Sequence, residues 1–154
     1  MRTSYWAFGT HLIVLASHAD TAGRYDLVEN FLPPGAQIPP HRHSRYSEQL
    51  YVVEGELTAW AGERKVVLRH GEHVFIPVGT PHSLAATGDG QTRILVVASP
   101  SGFARLVTEG GTPDEWKGMP PAASFDMDRF VRVAAELGDE PLGPPAALPS
   151  DAGR

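Results

Sequence analysis

The chain has 154 residues, among them 13 basic and 18 acidic side chains and no cysteine, which gives a formal net charge of −5. The length suits one domain, the acidic balance disfavours binding to nucleic acid, and the lack of cysteine excludes disulfides and thiolate chemistry. We find neither an apolar stretch long enough to span a membrane nor the pattern of a secretory signal, so we expect a cytoplasmic protein without membrane partners.

Eight short apolar runs indicate β-strands, and the segments between them are rich in Gly, Pro, Asp and Ser. This pattern is typical of an all-β sandwich or barrel. The predicted strands cover residues 11–16, 25–32, 49–53, 56–61, 65–68, 73–77, 82–86 and 93–99. Gly55 and Gly71 each separate two consecutive runs, and we expect Gly55 to form a tight reversal between antiparallel strands, with Gly71 similar.

The pattern changes after the last predicted strand. Residues 103–111 predict a short helix, and residues 124–138 predict a second one with Ser124 as N-cap and Gly138 at its end. We expect the second helix to pack on the outside of the barrel. The proline-rich residues 141–154 predict an extended or disordered tail, with a lid over the barrel mouth as the alternative. The predicted organisation is a barrel over 1–115, a C-terminal helical segment over 116–140 and a tail over 141–154.

Three histidines and one glutamate in the middle of the chain have the spacing of a metal site. His41 and His43 are one residue apart, so on an extended segment their side chains project from the same face. Glu48 adds a carboxylate, and His82 follows a turn-forming segment that can bring it in from a second strand. Nitrogen and oxygen ligands of this kind suit one divalent transition metal ion such as Fe, Mn, Ni, Co or Zn.

Two blocks around these residues resemble the two sequence motifs of the cupin superfamily. The first block covers residues 35–55 and the second covers residues 71–86. The matching positions are Gly35, His41, His43, Glu48 and Gly55 in the first block and Gly71, Pro77, Gly79 and His82 in the second. The second block ends with Ala86 where the family usually has an asparagine, which is not a metal ligand. The resemblance implies a single-domain cupin, which is a double-stranded β-helix or jelly-roll barrel.

The chain as a whole is similar to the small single-domain cupins grouped as quercetin 2,3-dioxygenase-like. The similarity lies in the lead-in SYWAFGTHLIVLA, the phrase SPSGFARLVTEGGTP after the last strand, and the closing LGPP. It implies His41, His43, Glu48 and His82 as the metal ligands and a small-molecule substrate that enters by one mouth of the barrel. We therefore expect a dioxygenase acting on a small aromatic or enolic molecule, flavonol-like or polyketide-like. An oxygen-independent isomerase, cyclase or decarboxylase and a non-catalytic binding protein stay open.

Glu48 is the residue that we expect to take part in catalysis. Four protein ligands leave one or two positions on the ion for substrate, and a carboxylate beside them would act as ligand and general base. If Glu48 points inward, the alternation of strand side chains puts two later residues of its strand on the same face. The predicted pocket residues are Leu50 and Val52 by this argument, Leu84 by its alternation with His82, and Phe31 and Phe75 as aromatic residues for stacking.

A homodimer is the last expectation. The edges of small barrels need cover, and the N-terminal residues 1–16 are apolar enough to add to the sheet of a neighbouring copy.

Overall fold

Strands dominate the part of the chain that the computed structural model describes, which is residues 3–115, 118–121 and 125–143. The strands of this part are β1 (Thr3–Ala7), β2 (Thr10–Ala16), β3 (Asp26–Leu32), β4 (Gln37–His43), β5 (Ser47–Glu54), β6 (Glu56–Ala61), β7 (Arg64–Arg69), β8 (His73–Ile76), β9 (His82–Ala86), β10 (Thr92–Ser99), β11 (Thr112–Pro113) and β12 (Asp139–Pro141). Its helices are α1 (His18–Thr21), α2 (Phe103–Arg105), which continues into a π-helical turn (Leu106–Gly110), and α3 (Met127–Glu136).

These strands form two antiparallel sheets. The seven-stranded sheet has the order β11-β1-β2-β3-β10-β5-β8, and the five-stranded sheet has the order β12-β4-β9-β6-β7. Alternating side chains of both sheets point inward, as Glu48, Leu50 and Val52 do on β5, and together they build the core. The all-β architecture expected from the sequence is confirmed.

All eight predicted strands are present, and the boundaries differ by at most two residues. The strand β4 was not predicted, because its sequence QIPPHRH is polar and contains two prolines. Pro39 and Pro40 are accommodated at a register shift in the pairing of β4 with β9, between Ile38 and His41. Neither proline has a backbone N–H group to donate to a neighbouring strand. The register shift leaves these two positions unpaired with β9, so the strand continues through the prolines to the histidines.

The turns at Gly55 and Gly71 have the expected positive φ, at 83° and 82°. They do not reverse the chain between paired strands, however. β5 and β8 belong to the seven-stranded sheet, whereas β6 and β7 belong to the five-stranded one, so each glycine carries the chain across from one sheet to the other. At Gly55 a Cβ atom would lie 2.6 Å from the carbonyl oxygen of Gln91, so close packing also favours glycine there.

The C-terminal segment is more closely integrated with the barrel than the sequence predicted. α3 begins after Asp126, whose carboxylate accepts a hydrogen bond from the Arg129 backbone N–H at 2.9 Å, so Asp126 is the N-cap; Ser124 lies outside the described residues. Side chains of α3 line the cavity between the sheets instead of lying only on the outer surface. β12 then pairs with β4, so the first residue of the expected tail belongs to a sheet, and residues 144–154 lie outside the described part.

Within the described ranges, no helix is long and apolar enough to cross a membrane.

Candidate metal centre

The four predicted ligands come together between the two sheets. The candidate ligand atoms of His41, His43, Glu48 and His82 all lie within 4.8 Å of one another. His41 and His82 are directly paired across β4 and β9 in the five-stranded sheet, and Glu48 approaches from β5 in the seven-stranded sheet. The cluster therefore bridges the two layers of the barrel.

Two of the imidazoles are oriented by backbone carbonyl groups. His41 Nδ1 lies 2.6 Å from the carbonyl oxygen of Pro39, and His82 Nδ1 lies 2.9 Å from that of Thr80. A carbonyl only accepts hydrogen bonds, so each Nδ1 carries a proton, and in the neutral ring each Nε2 then keeps its lone pair. Both lone pairs are then available to an ion at the centre of the cluster.

The third imidazole is oriented by a residue that the sequence analysis did not identify. Asp139 on β12 lies opposite His43 on β4, and its Oδ1 is 2.7 Å from His43 Nδ1. The other oxygen of Asp139 accepts a hydrogen bond of 2.9 Å from the Tyr46 hydroxyl, and the Tyr46 ring stacks on the His43 ring at 4.4 Å. All three residues are buried. A carboxylate behind a ligating histidine fixes its ring and raises its basicity.

Charge in the cluster suits a divalent cation. Burial raises the pKa of Glu48, but His43 and His82 outweigh it and hold that pKa well below its usual range. Burial lowers the pKa of His43, but Glu48 and Asp139 outweigh it and raise that pKa to about 10. Burial, together with His82 and His43, lowers the pKa of His41 to about 3. The metal-free cluster therefore holds a proton on His43 between the carboxylates of Glu48 and Asp139, and a divalent ion would displace this proton and neutralise the two carboxylates.

The residues fit such an ion on a further observation. His43 Nε2 is buried and has no hydrogen-bond partner among the described residues. It lies 3.4 Å from Glu48 Oε1, and His82 Nε2 lies 3.2 Å from Glu48 Oε2. A buried ring nitrogen without a hydrogen-bond partner is costly unless another group binds it. Three imidazole nitrogens and one carboxylate are also the donor types that first-row divalent ions accept.

A cavity opens beside the cluster, and we call it the central cavity. It contains about 1100 Å³ of non-atom space, the open mouth included. His41, His43 and Glu48 lie at one end of it, and apolar side chains of both sheets form most of the remaining wall. Met127 and Val131 of α3 border it while staying 39% and 40% exposed, so α3 lies at the opening. The cavity is thus an apolar chamber with the candidate metal ligands at one end.

The predicted pocket residues are placed unequally around this cavity. Leu50 and Leu84 line it. Val52 shares the inward face of β5 but is fully buried in the core and does not border the cavity. Phe75 is 50% exposed, because it pairs with Gln49 on the outer face of β5.

Phe31 is the fifth of these residues, and it also lies outside the cavity. It pairs with Arg93 and faces outward from β3, where its ring lies 5.6 Å from the Arg93 guanidinium. Aromatic type alone does not identify the pocket wall in this barrel, whereas alternation from a ligand on the same strand correctly places Leu50 and Leu84 there.

Residues 30–98 match the family model of the cupin domain, and this range contains all four residues of the cluster. The chain is 28% identical over 116 residues to quercetin 2,3-dioxygenase of Bacillus subtilis, which is 73% of this chain and 34% of that protein. It is 30% identical over 105 residues to the polyketide synthase CurC of Streptomyces cyaneus, which is 68% of this chain and 64% of CurC. The chain thus spans 34% to 64% of the length of these relatives.

A solved structure is similar in sequence and in fold. The polyketide cyclase RemF of Streptomyces resistomycificus superimposes with a TM-score of 0.53 at 32% identity, over 60% of this chain and 66% of that one.

Proposed function

The chain belongs to the cupin superfamily, and from this membership we propose that it is a metal-dependent enzyme acting on a small aromatic or enolic molecule. The observation that carries the proposal is the convergence of three imidazoles and a buried carboxylate at the end of an apolar cavity. Four protein ligands leave coordination positions open on an ion that accepts five or six, and an open position distinguishes catalytic from structural sites. A protein that only binds a small molecule could dispense with a labile ion.

His41, His43, Glu48 and His82 would hold the ion, and when bound it would act as a Lewis acid on a substrate oxygen. The protein itself contributes orientation, since each imidazole is fixed through its Nδ1. It also contributes a proton acceptor. Glu48 is an ionised carboxylate that borders the cavity, and it can take the proton of a phenol or enol hydroxyl placed beside it. The apolar wall excludes water from the resulting anion.

Dioxygenation is the reaction that we propose first. The similarity to quercetin 2,3-dioxygenase of Bacillus subtilis supports it, and the substrate would then be flavonol-like. An enolate formed by Glu48 is electron-rich enough to react with dioxygen, and no external reductant is required when both oxygen atoms enter the product. Substrate and dioxygen would both use the opening beside α3.

Oxygen-independent cyclisation is the second candidate. The similarity to the polyketide cyclase RemF and to CurC supports it, at slightly higher identity than the dioxygenase. The same enolate can close a ring on a carbonyl carbon of its own molecule. The ligand set is compatible with either reaction.

Oxygen consumption separates the two reactions. We expect purified protein reloaded with Fe, Mn, Ni or Co to bind about one ion per chain, and to consume dioxygen with quercetin as the flavonol disappears. Conversion of an enolic polyketide-like substrate without oxygen uptake would favour cyclisation instead. His43→Ala should abolish both the metal and the activity, and His73→Ala, an exposed histidine on β8, is the matched control. A wild-type protein that binds no divalent ion would contradict the proposal.

Glu48→Gln tests the proposed proton acceptor. The amide keeps an oxygen donor in nearly the same place, so the metal content should fall only in part. Loss of the base should lower turnover by roughly 10² to 10⁴, the range typical of a general base. Metal content and turnover are measured together, with Glu54→Gln on the exposed end of the same strand as control. Full turnover at full metal occupancy would show that Glu48 is not the base.

The homodimer stays a prediction. β1 of the N-terminal segment pairs with β2 on one side and with β11 on the other, so this strand already has partners in its own chain. Light scattering at micromolar concentration is the test, and a monomeric mass would contradict the prediction.

A further inference from the structure

Asn30 is a buried polar residue that the metal centre does not use. It lies on β3 and borders the central cavity, with a relative exposure of 5%. Its Oδ1 is buried and has no hydrogen-bond partner among the described residues. Nearly all buried amide oxygens in folded proteins are hydrogen-bonded, so an unpartnered one suggests a missing partner.

The surroundings of Asn30 offer no replacement partner. Its neighbours on the adjacent strands are Leu12 and Ile94, both buried and apolar. Thr10, another polar residue of the cavity wall, lies two positions before Leu12 on β2, and its hydroxyl already donates to the carbonyl oxygen of Ala7 at 2.9 Å. β3 is an inner strand of its sheet, where asparagine has a low propensity. The carboxamide is therefore an unfavourable choice for packing alone.

Asn30 and the metal ligands lie at different levels of the same cavity. Across the seven-stranded sheet, Glu48 is level with Ala98, whereas Asn30 is level with Ile94. Four residues along a strand correspond to about 14 Å. The wall between these two levels includes Leu50 and Val96, which are apolar. The wall of the cavity thus carries polar groups at two levels, with an apolar section between them.

We propose that Asn30 is a specificity-determining residue that hydrogen-bonds the end of the substrate remote from the metal centre. Its Oδ1 accepts from a hydroxyl, and its amide N–H groups can donate to a carbonyl. The substrate class is then a flat, largely apolar molecule of two or three rings that carries a metal-binding enol or phenol at one end and an oxygen function at the other. This inference rests on the proposed function, because it assumes that the metal centre receives the first end.

A pair of flavonol probes tests the inference without turnover. 3-Hydroxyflavone and 3,4′-dihydroxyflavone share the same enol and differ by one hydroxyl at the remote end. Zinc does not change its redox state, so a zinc-loaded protein binds the probes without oxidising them. We expect wild-type protein to bind the dihydroxy probe about 10-fold more tightly by tryptophan-fluorescence quenching, as one added hydrogen bond allows. Asn30→Leu, which keeps the volume of the side chain, should abolish this preference.

Val96→Ala is the matched control in the same cavity wall. This substitution should weaken the binding of both probes alike, so the ratio of their dissociation constants should stay about 10-fold, as in the wild-type protein. A ratio near one in the wild-type protein, or a ratio that survives Asn30→Leu, would overturn the inference. Both probes must also bind the zinc-loaded wild-type protein, since absence of all binding would overturn the proposed substrate class.

Thermal unfolding gives a second readout that needs no ligand. If Asn30 is kept for binding, Asn30→Leu removes an unpartnered amide from the interior, and the Tm should rise by roughly 4 °C. A fall in Tm would show that Asn30 has a structural role and would overturn the inference. Turnover is independent of these outcomes. An active enzyme without an Asn30-dependent preference loses only this inference, and a protein with the preference but no activity under any metal loses only the proposed reaction.

Discussion

The histidines of the candidate metal centre are oriented from two different regions of the molecule. His41 and His82 each bond a carbonyl group two residues earlier in their own segment. His43 instead bonds Asp139, 96 positions later in the sequence. The first two imidazoles keep their orientation as long as the local chain is folded. The orientation of the third imidazole depends on the pairing of β12 with β4, so the C-terminal segment contributes to the candidate metal centre.

The chemical nature of the two acceptors differs as well. A carbonyl oxygen is neutral, whereas the Asp139 carboxylate adds a negative charge directly behind His43. Charge behind an imidazole makes its other nitrogen a stronger donor toward a cation. We therefore expect the remote arrangement to matter for metal affinity, while the local arrangement mainly fixes the direction of the ring.

The largest effect is expected from removing the imidazoles themselves. His41→Ala and His43→Ala should each weaken zinc binding by more than roughly 100-fold, which exceeds the effect of losing a residue behind a ligand. Competition with a chromogenic chelator measures the affinity, and circular dichroism verifies that the barrel remains folded. Loss of affinity in one variant alone would mean that only one kind of arrangement contributes a ligand.

Asp139→Ala should have an intermediate effect. Removing the carboxylate leaves His43 Nδ1 without its acceptor, and zinc affinity should fall by about 10-fold to 100-fold. Asp139→Asn keeps an oxygen acceptor without the charge, so the fall in zinc affinity should be smaller for this variant than for Asp139→Ala. The control is Glu140→Gln, since this neighbouring carboxylate is exposed and pairs with Arg42. Unchanged affinity in Asp139→Ala would remove the distinction between local and remote arrangements.

Tyr46→Phe should have the smallest effect. Phenylalanine keeps the ring that stacks on His43 but loses the hydrogen bond to Asp139. Because Asp139 would keep its bond to His43, zinc affinity should change by less than about 5-fold, and the free energy of unfolding should fall by about 1 kcal/mol. Urea unfolding of the metal-free protein measures the second quantity. A fall in affinity as large as that of Asp139→Ala would show that the hydroxyl positions the carboxylate.

The parts of this site that the sequence predicts are the parts built by short spacing. His41 and His43 reach the same face because strand side chains alternate, and the two blocks that carry the ligands are continuous in the chain. Leu50 and Leu84 follow from the same alternation once a ligand is known on each strand. The extended conformation of this segment was predicted, but its pairing as the strand β4 was not, since its sequence is polar and two prolines lack the backbone N–H of a typical strand.

The parts that the sequence does not predict depend on pairing between distant segments. Asp139 lies in a short polar strand whose partner, β4, is nearly a hundred residues away, and no local pattern identifies that pairing. The position of α3 at the cavity mouth likewise depends on how the C-terminal segment crosses the barrel. Asn30 becomes visible only when the neighbouring strands show that its face is the inward one.

The length of the turn between α3 and β12 determines which residue of β12 lies opposite His43 on β4. Asp139, Glu140 and Pro141 lie opposite His43, Arg42 and His41 in turn. A single deletion before Asp139 that shifted this register by one position would present the longer side chain of Glu140 to His43, and a shift of two positions would present Pro141, which has no acceptor in its side chain. We therefore expect the contact between Asp139 and His43 to constrain the number of residues between α3 and β12.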